Sequence, residues 1–330
     1  MKKKTNLMLL ALLGVQLILI IFLYWSGREK GQPMTDLMQG LTADAVTELA
    51  ITEGSGKTLI LRKEENGGWQ AGNGQAVSYP ADPEQIRHLL TTVTSLQSQR
   101  LVTRTKSSHI RLQVDDKIFA KKVTLQVKGG ETRTLFLGSS PGPQAMHVRP
   151  AATDDVYLVD GISVWELDTE PESWWQTNYV LLDGDKMREV SLKNRHGSFT
   201  LRKEGDKWRL ADADPQQELA PAVVADFLRL VSHININRYL GREHHGKPLD
   251  TALLSLTVAD QEPLTVTIGP NSGDEDNEHV IKSSASAFFA AANSDQLEPL
   301  LAMKKENFLA PPAREVKSEK SGVKSEEKIL

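Results

Sequence analysis

Hydrophobic and polar residues follow two periods along this chain, and one succession of periods occurs twice between residues 45 and 309. An alternating stretch ends in Leu61-Arg62-Lys63-Glu64, with Trp69 shortly after. A second ends in Leu201-Arg202-Lys203-Glu204, with Trp208 shortly after. Alternation with a period of two predicts half-buried strands. The period then changes. Asp82-Pro83-Glu84-Gln85 offers a capping residue, a first-turn proline and a glutamine at the capping-box position. Behind it Ile86, Leu89, Leu90, Val93 and Leu96 form one helical stripe. Pro221 restarts the pattern, and Val224, Phe227, Leu228, Val231 and Ile234 keep the same spacing. Hairpins follow in each copy. Val123 to Val127 and Leu135 to Gly138 flank Gly129-Gly130, and Leu254 to Val258 precedes Leu264 to Gly269. His147-Val148 and His279-Val280 come next, before apolar segments at Val156–Val159 and Ala287–Ala290.

Before the first copy, the 19 residues from Leu7 to Trp25 carry no charge. As a helix they would measure about 28 Å, close to a bilayer's hydrocarbon core. Leu7, Leu10, Ile18 and Ile21 supply apolar surface, while Tyr24 and Trp25 suit the outer interface. Lys2, Lys3 and Lys4 precede the run, which predicts a cytoplasmic N-terminus and a body on the far side. The competing reading is a cleaved secretory signal. The run exceeds the usual apolar length for one, and Ser26-Gly27-Arg28 offers no small-residue cleavage site.

The expected fold class is therefore α+β: an N-terminal transmembrane helix, then two tandem repeats, each of antiparallel β-hairpins packed on an amphipathic helix. The anchor occupies residues 1–30 and a juxtamembrane linker 31–44. The repeats occupy 45–170 and 187–309, an apolar connection fills 171–186, and 310–330 forms a charged tail too poor in apolar residues to order itself. Localisation follows as the bacterial inner membrane, single-pass, with a periplasmic or extracytoplasmic body and the bilayer as a partner through residues 7–25.

Composition narrows the chemistry. A net charge of −4, with Lys and Arg scattered among acids, gives no field for nucleic acid, and zero cysteines exclude disulfides and thiolate chemistry. No catalytic residue, cofactor or metal site is expected. His244-His245 lacks zinc spacing, and Asp274 to Glu278 lacks the features of an EF-hand loop. Gly54-Ser55-Gly56 reads as a turn, and Gly138 to Pro143 leads into a Pro-rich loop without a helix N-terminus. His147 and His279 are candidate interface residues because they hold equivalent places in the two copies. Trp165, Trp174, Trp175 and Tyr179 could stack a sugar, although residues at a junction of repeats are more often packing material.

The combination resembles the domain-of-unknown-function 4340 family over roughly residues 40 to 309. The matching marks are Leu61 to Glu64 with Trp69, the helix from Asp82, the strand ending at Gly138, and Val156-Tyr157-Leu158-Val159-Asp160. In the second copy Phe288-Phe289 replaces the tyrosine strand. The resemblance implies a bacterial envelope protein accessory to a gliding-motility-type ABC transport system, and it brings no catalytic residues. The expected function is thus a non-enzymatic, membrane-anchored binding or scaffold module with an envelope protein partner, ABC transporter subunits among the candidates. The alternative is a periplasmic glycan- or peptide-binding protein or enzyme using the cleft between the repeats.

Overall fold

The computed structural model describes residues 13–16, 18–20, 34–75, 77–214, 217–271 and 277–309. The chain divides into two compact units, Met1–Gln176 and Thr177–Leu330. The first unit's strands are β1 (Val46–Glu53), β2 (Thr58–Lys63), β3 (Trp69–Gly72), β4 (Tyr79–Pro80), β5 (Ser98–Thr103), β6 (Lys121–Val127), β7 (Thr132–Leu137), β8 (Ala145–Pro150) and β9 (Val156–Asp160). Its helices are α1 (Pro83–Thr94) and the short α2 (His109–Leu112). All nine strands join one sheet in the order β4-β3-β2-β1-β6-β7-β8-β9-β5.

Alternation builds the core of this sheet. Leu49 and Ile51 on β1, Leu59 and Leu61 on β2, Val123 and Leu125 on β6, and Leu135 and Leu137 on β7 are buried in a single cluster. A register shift between Val46 and Glu48 lets Val46 join them. Helix α1 is started by Asp82, whose side chain accepts the amides of Glu84 and Gln85, with Pro83 in the first turn. Its Ile86, Leu89, Leu90 and Val93 enter the same cluster as the strands.

The second unit contains β10 (Asn178–Leu181), β11 (Met187–Asn194), β12 (Gly197–Glu204), β13 (Lys207–Leu210), β14 (His233–Asn235), β15 (Arg238–Gly241), β16 (Ala252–Val258), β17 (Leu264–Asn271), β18 (Glu278–Ser283) and β19 (Phe289–Asn293). Its helices are α3 (Pro221–Ser232) and α4 (Ser294–Leu301). Eight strands form a sheet ordered β13-β12-β11-β16-β17-β18-β19-β15, and β10 pairs with β14. Replacing β1–β3 by β11–β13 and β5–β9 by β15–β19 converts the first order into the second. The exception is β4, which has no counterpart among the described residues, so this sheet ends at β13. Phe199, Phe227 and Phe308 meet in its core, with ring centroids 5.0 to 5.6 Å apart.

The α+β class is corrected by this architecture. The protein is mostly antiparallel sheet: in each unit the hairpins merge into one continuous sheet of nine or eight strands. A twelve-residue helix such as α1 contributes four buried side chains, so the sheet supplies most of each core. The expectation fell short on polar strands. β5, Ser98-Gln99-Arg100-Leu101-Val102-Thr103, buries only Ser98, so it lacks the clean alternation of a half-buried strand. The transmembrane helix expected in that class has no counterpart among the described helices, none of which is long and apolar enough to cross a membrane. Residues 13–16 and 18–20 are helical, and the rest of 7–25 lies outside the described residues.

Candidate functional site

Two surfaces stand out, one in each unit. In the first, Val164–Leu167 forms a 3-10 turn after β9. Three residues per turn place Val164 and Leu167 on one face, and Leu167 is wholly buried in the core while Val164 packs against it. Trp165 is left on the other face and is 90% exposed, a rare state for so large a ring held on an anchored turn.

Beside Trp165 lies a cavity of about 560 Å³, lined also by Phe119, Ser55, Asp168, Glu53 and Lys121. Glu53 ends β1 and faces Lys121, the first residue of β6, across the sheet. The Lys121 ammonium is 2.6 Å from Glu53 Oε1, which also accepts from Thr169 Oγ1 at 2.9 Å, while Ser55 Oγ donates to Oε2. The hydrogen bonds from Lys121 and then Thr169 hold the Glu53 carboxyl down at about 2. Burial pushes the Asp168 carboxyl up, but hydrogen bonds from Ser173 and from the Glu170 and Thr169 amides outweigh it, and the net direction is down. Both groups are therefore ionised at neutral pH, and neither is set to donate a proton.

This pair makes stability depend on pH. The folded carboxyl of Glu53 lies near 2 against an ordinary 4.5. Its contribution is complete above the ordinary value and is lost as pH falls through about 2. Wild type should accordingly melt above Glu53→Gln at pH 7, with the gap closing between pH 5 and 2. A gap independent of pH would contradict the assignment.

In the second unit, a cavity of about 700 Å³ opens between the outer edge of β13 and the first turns of α3. Trp208, Leu219, Val224 and Leu228 are among its lining residues. Its origin is visible by comparison with the first unit. There β4 pairs with β3, matching Ala71 with Tyr79, and the Ala81 amide donates to Trp69 O. The Tyr79 ring meets Trp175 edge-on at 5.0 Å. In the second unit Leu219 bridges Leu309 as Ala81 bridges Trp175, and the Ala220 amide donates to Phe308 O as that of Asp82 does to Trp174 O. Gln217 and Leu309 thus stand where Tyr79 and Trp175 fill the first unit, and no described strand pairs with the outer edge of β13. Leu228 and Trp208 are only half-buried, whereas their counterparts Leu90 and Trp69 are buried.

The other residues named from sequence are engaged structurally. Trp174 is buried in the first core and donates its indole N–H to Asp168 O, and Trp175 packs against that core. Tyr179 belongs to the second unit, where its hydroxyl donates to Phe288 O and accepts the Ser283 amide. The aromatic cluster is therefore divided between units. His147 lies 3.0 Å through Nδ1 from Ser139 Oγ, and buried His279 donates Nδ1–H to Gly269 O at 2.8 Å. Both sit on interior strands, β8 and β18, and bond to the neighbouring strand at or just after its matched glycine, Ser139 after Gly138 and Gly269 itself. His244 stacks on Phe289, and Glu278 binds Asn237 and Arg238. Among the described residues, no group of three His, Cys, Asp or Glu could hold a metal. Ile18 is exposed, and Leu7, Leu10, Ile21, Tyr24 and Trp25 lie outside the described residues.

A family model described as Domain of unknown function (DUF4340) matches residues 73–253, more than half of the chain. No curated protein and no solved structure matches the chain.

Proposed function

This chain belongs to the DUF4340 family, and from that premise we propose that it is a membrane-tethered, extracytoplasmic scaffold that docks an envelope protein partner on the Trp165 face. The exposed Trp165 carries this reading: an aromatic anchor on a rigid turn is the kind of residue that dominates protein interfaces. The acidic surroundings favour a basic group on the partner. Lys121 is paired with Glu53, which leaves Asp168 as the excess charge lining the cavity, and Glu166 is exposed beside the ring. A partner's Arg or Lys can stack on the indole and meet that carboxylate. The tether is supported by the uncharged run from Leu7 to Trp25 behind Lys2, Lys3 and Lys4, in a bacterial inner membrane with the body outside. The family resemblance favours subunits of an ABC-type transport system as the partner.

In-membrane crosslinking of the full chain, followed by mass spectrometry, tests this. Recovery of transporter subunits by wild type and their loss with Trp165→Ala is the expected result. That substitution should leave the melting temperature within about 2 °C, because an exposed side chain contributes little to folding. Equal recovery with Trp165→Ala would remove this face from the interface. A second reading, a neutral glycan stacked on Trp165, is favoured by the polar floor of the cavity. It predicts fluorescence quenching by glycan fragments that Trp165→Ala abolishes.

A further inference from the structure

The second unit's sheet ends on an edge that the first unit covers, and the first unit displays what such a cover is made of. We propose that β13 is a docking edge for an extended segment of a partner protein, which adds to it as an antiparallel strand and alternates apolar with acidic side chains. This site is separate from the Trp165 face and does not rest on the function proposed there.

The backbone of β13 is arranged for strand addition. Ala211 donates to Thr200 O on β12, so by alternation the N–H and C=O groups of Trp208 and Leu210 point away from β12, toward the open edge. In the first unit the matching groups are engaged: Ala71 pairs with Tyr79, and Trp69 O accepts the Ala81 amide. Gln217, at the place of Tyr79, instead donates its amide to Asp214 O in a turn. Trp208 and Leu219 then line one cavity of about 700 Å³ instead of pairing, and β13 has no outer partner among the described strands.

Side chains define the occupant. In the first unit β4 sets Tyr79 opposite Ala71, and Ala81 follows at Trp69. The same register on β13 puts a bulky apolar residue opposite Leu210 and a small one opposite Trp208. Both would enter the cavity, where half-buried Trp208 and Leu228 still have apolar surface to cover. On the other face of the strand the two units differ in charge. Where the first has Gly68 and Gln70, the second has exposed Lys207 and Arg209, which reaches Glu204 Oε2 at 3.2 Å. The cavity's acids, Asp206 and Glu218, lie in the preceding turn and on the Leu219 side, off this strand. Opposite charges across a strand pair stabilise it and like charges oppose it, so acidic residues belong opposite Arg209 and Lys207. A second copy's β13 is disfavoured on the same ground. Self-pairing about Trp208 would oppose Lys207 to Arg209, and self-pairing about Arg209 would oppose that residue to itself.

The test titrates the full chain with a fluorescein-labelled peptide, Thr-Tyr-Glu-Ala-Glu-Val-Thr, read by anisotropy and by amide hydrogen exchange. Saturable binding is expected, with exchange at the Trp208 and Leu210 amides slowed about tenfold and the β16–β17 hairpin unchanged. A peptide with lysines for both glutamates, and one N-methylated at its tyrosine and alanine, should each bind about tenfold more weakly. The doubly substituted protein, Lys207→Glu with Arg209→Glu, should reverse the preference and take the lysine peptide, a result that misfolding cannot imitate. Equal binding of the three peptides, or no slowing at Trp208 and Leu210, would overturn the proposal. So would protection of those amides without peptide, whether it grows with protein concentration, as for a second copy, or disappears on truncation after Leu309, as for the chain's own tail.

Discussion

Phe227→Ala is expected to destabilise the second unit by about 3–5 kcal/mol, the usual range for truncating a fully buried phenylalanine. Phe227 has no exposed surface and sits at the junction of three elements. Its ring meets Phe308 edge-on at 5.1 Å and Phe199 at 5.6 Å, while those two rings are 5.0 Å apart. Edge-to-face pairs contribute beyond their buried area, on the order of 0.5–1.5 kcal/mol each. Removing the shared member leaves a void that cannot easily collapse, since Phe199 is held on β12 and Phe308 on the final 3-10 turn Lys305–Phe308. Leu228→Ala, one residue along α3 and half-buried at the cavity, should cost well under half as much. Urea unfolding followed by exchange at second-unit amides separates the two units' transitions. Equal losses from the two substitutions would show that the aromatic trio is not the keystone.

Gly138→Ala should cost about 3 kcal/mol or more, while Gly269→Ala at the equivalent position should cost clearly less. The difference is steric. A Cβ on Gly138 would stand 2.0 Å from Leu112 O, 2.7 Å from Val114 Cγ1 and 2.8 Å from Gln113 O, mostly backbone atoms that cannot rotate away. That backbone is fixed by the Ser139 amide donating to Leu112 O, and by Gln113 in a left-handed conformation with φ of 57°. A Cβ on Gly269 would meet nothing closer than 3.3 Å, at Leu249 Cγ and Val280 O. Thermal melts of the two variants decide the matter. Matched losses would mean that the segment over Gly138 yields readily.

Helix positions and hairpins were legible because their signals are local. The Asp82-Pro83 start, the Pro221 start and the stripes behind them correspond to α1 and α3, although Leu96 and Ile234 fall beyond the helix ends. What local reading misses is joining. β1 pairs with β6 about seventy residues later, and β5 pairs with β9 through Ser98↔Val159, contacts that leave no periodic trace in either segment. The merging of the hairpins into one continuous sheet is therefore invisible to local periodicity. In the sequence Trp165 is one of four neighbouring aromatics, and the period of its 3-10 turn is what separates it from buried Trp174. The second cavity left a fainter mark, the exchange of Tyr79 and Trp175 for Gln217 and Leu309 between matched positions. Only the strand pairing, which matches Leu219 with Ala81, gives that loss of volume its meaning.

The terminal turn of each unit has a temporal consequence. The amides of Asp82 and Ala220, which begin α1 and α3, donate to Trp174 O and Phe308 O about ninety residues downstream. A chain that emerges N-terminus first into the compartment where it folds therefore carries an unclasped sheet until that last aromatic appears, and high-separation contacts of this kind slow folding. For the first unit the vulnerable interval ends while the second is still being made. For the second unit it lasts until the stretch containing Phe308 has emerged, so the second sheet is the last to be clasped.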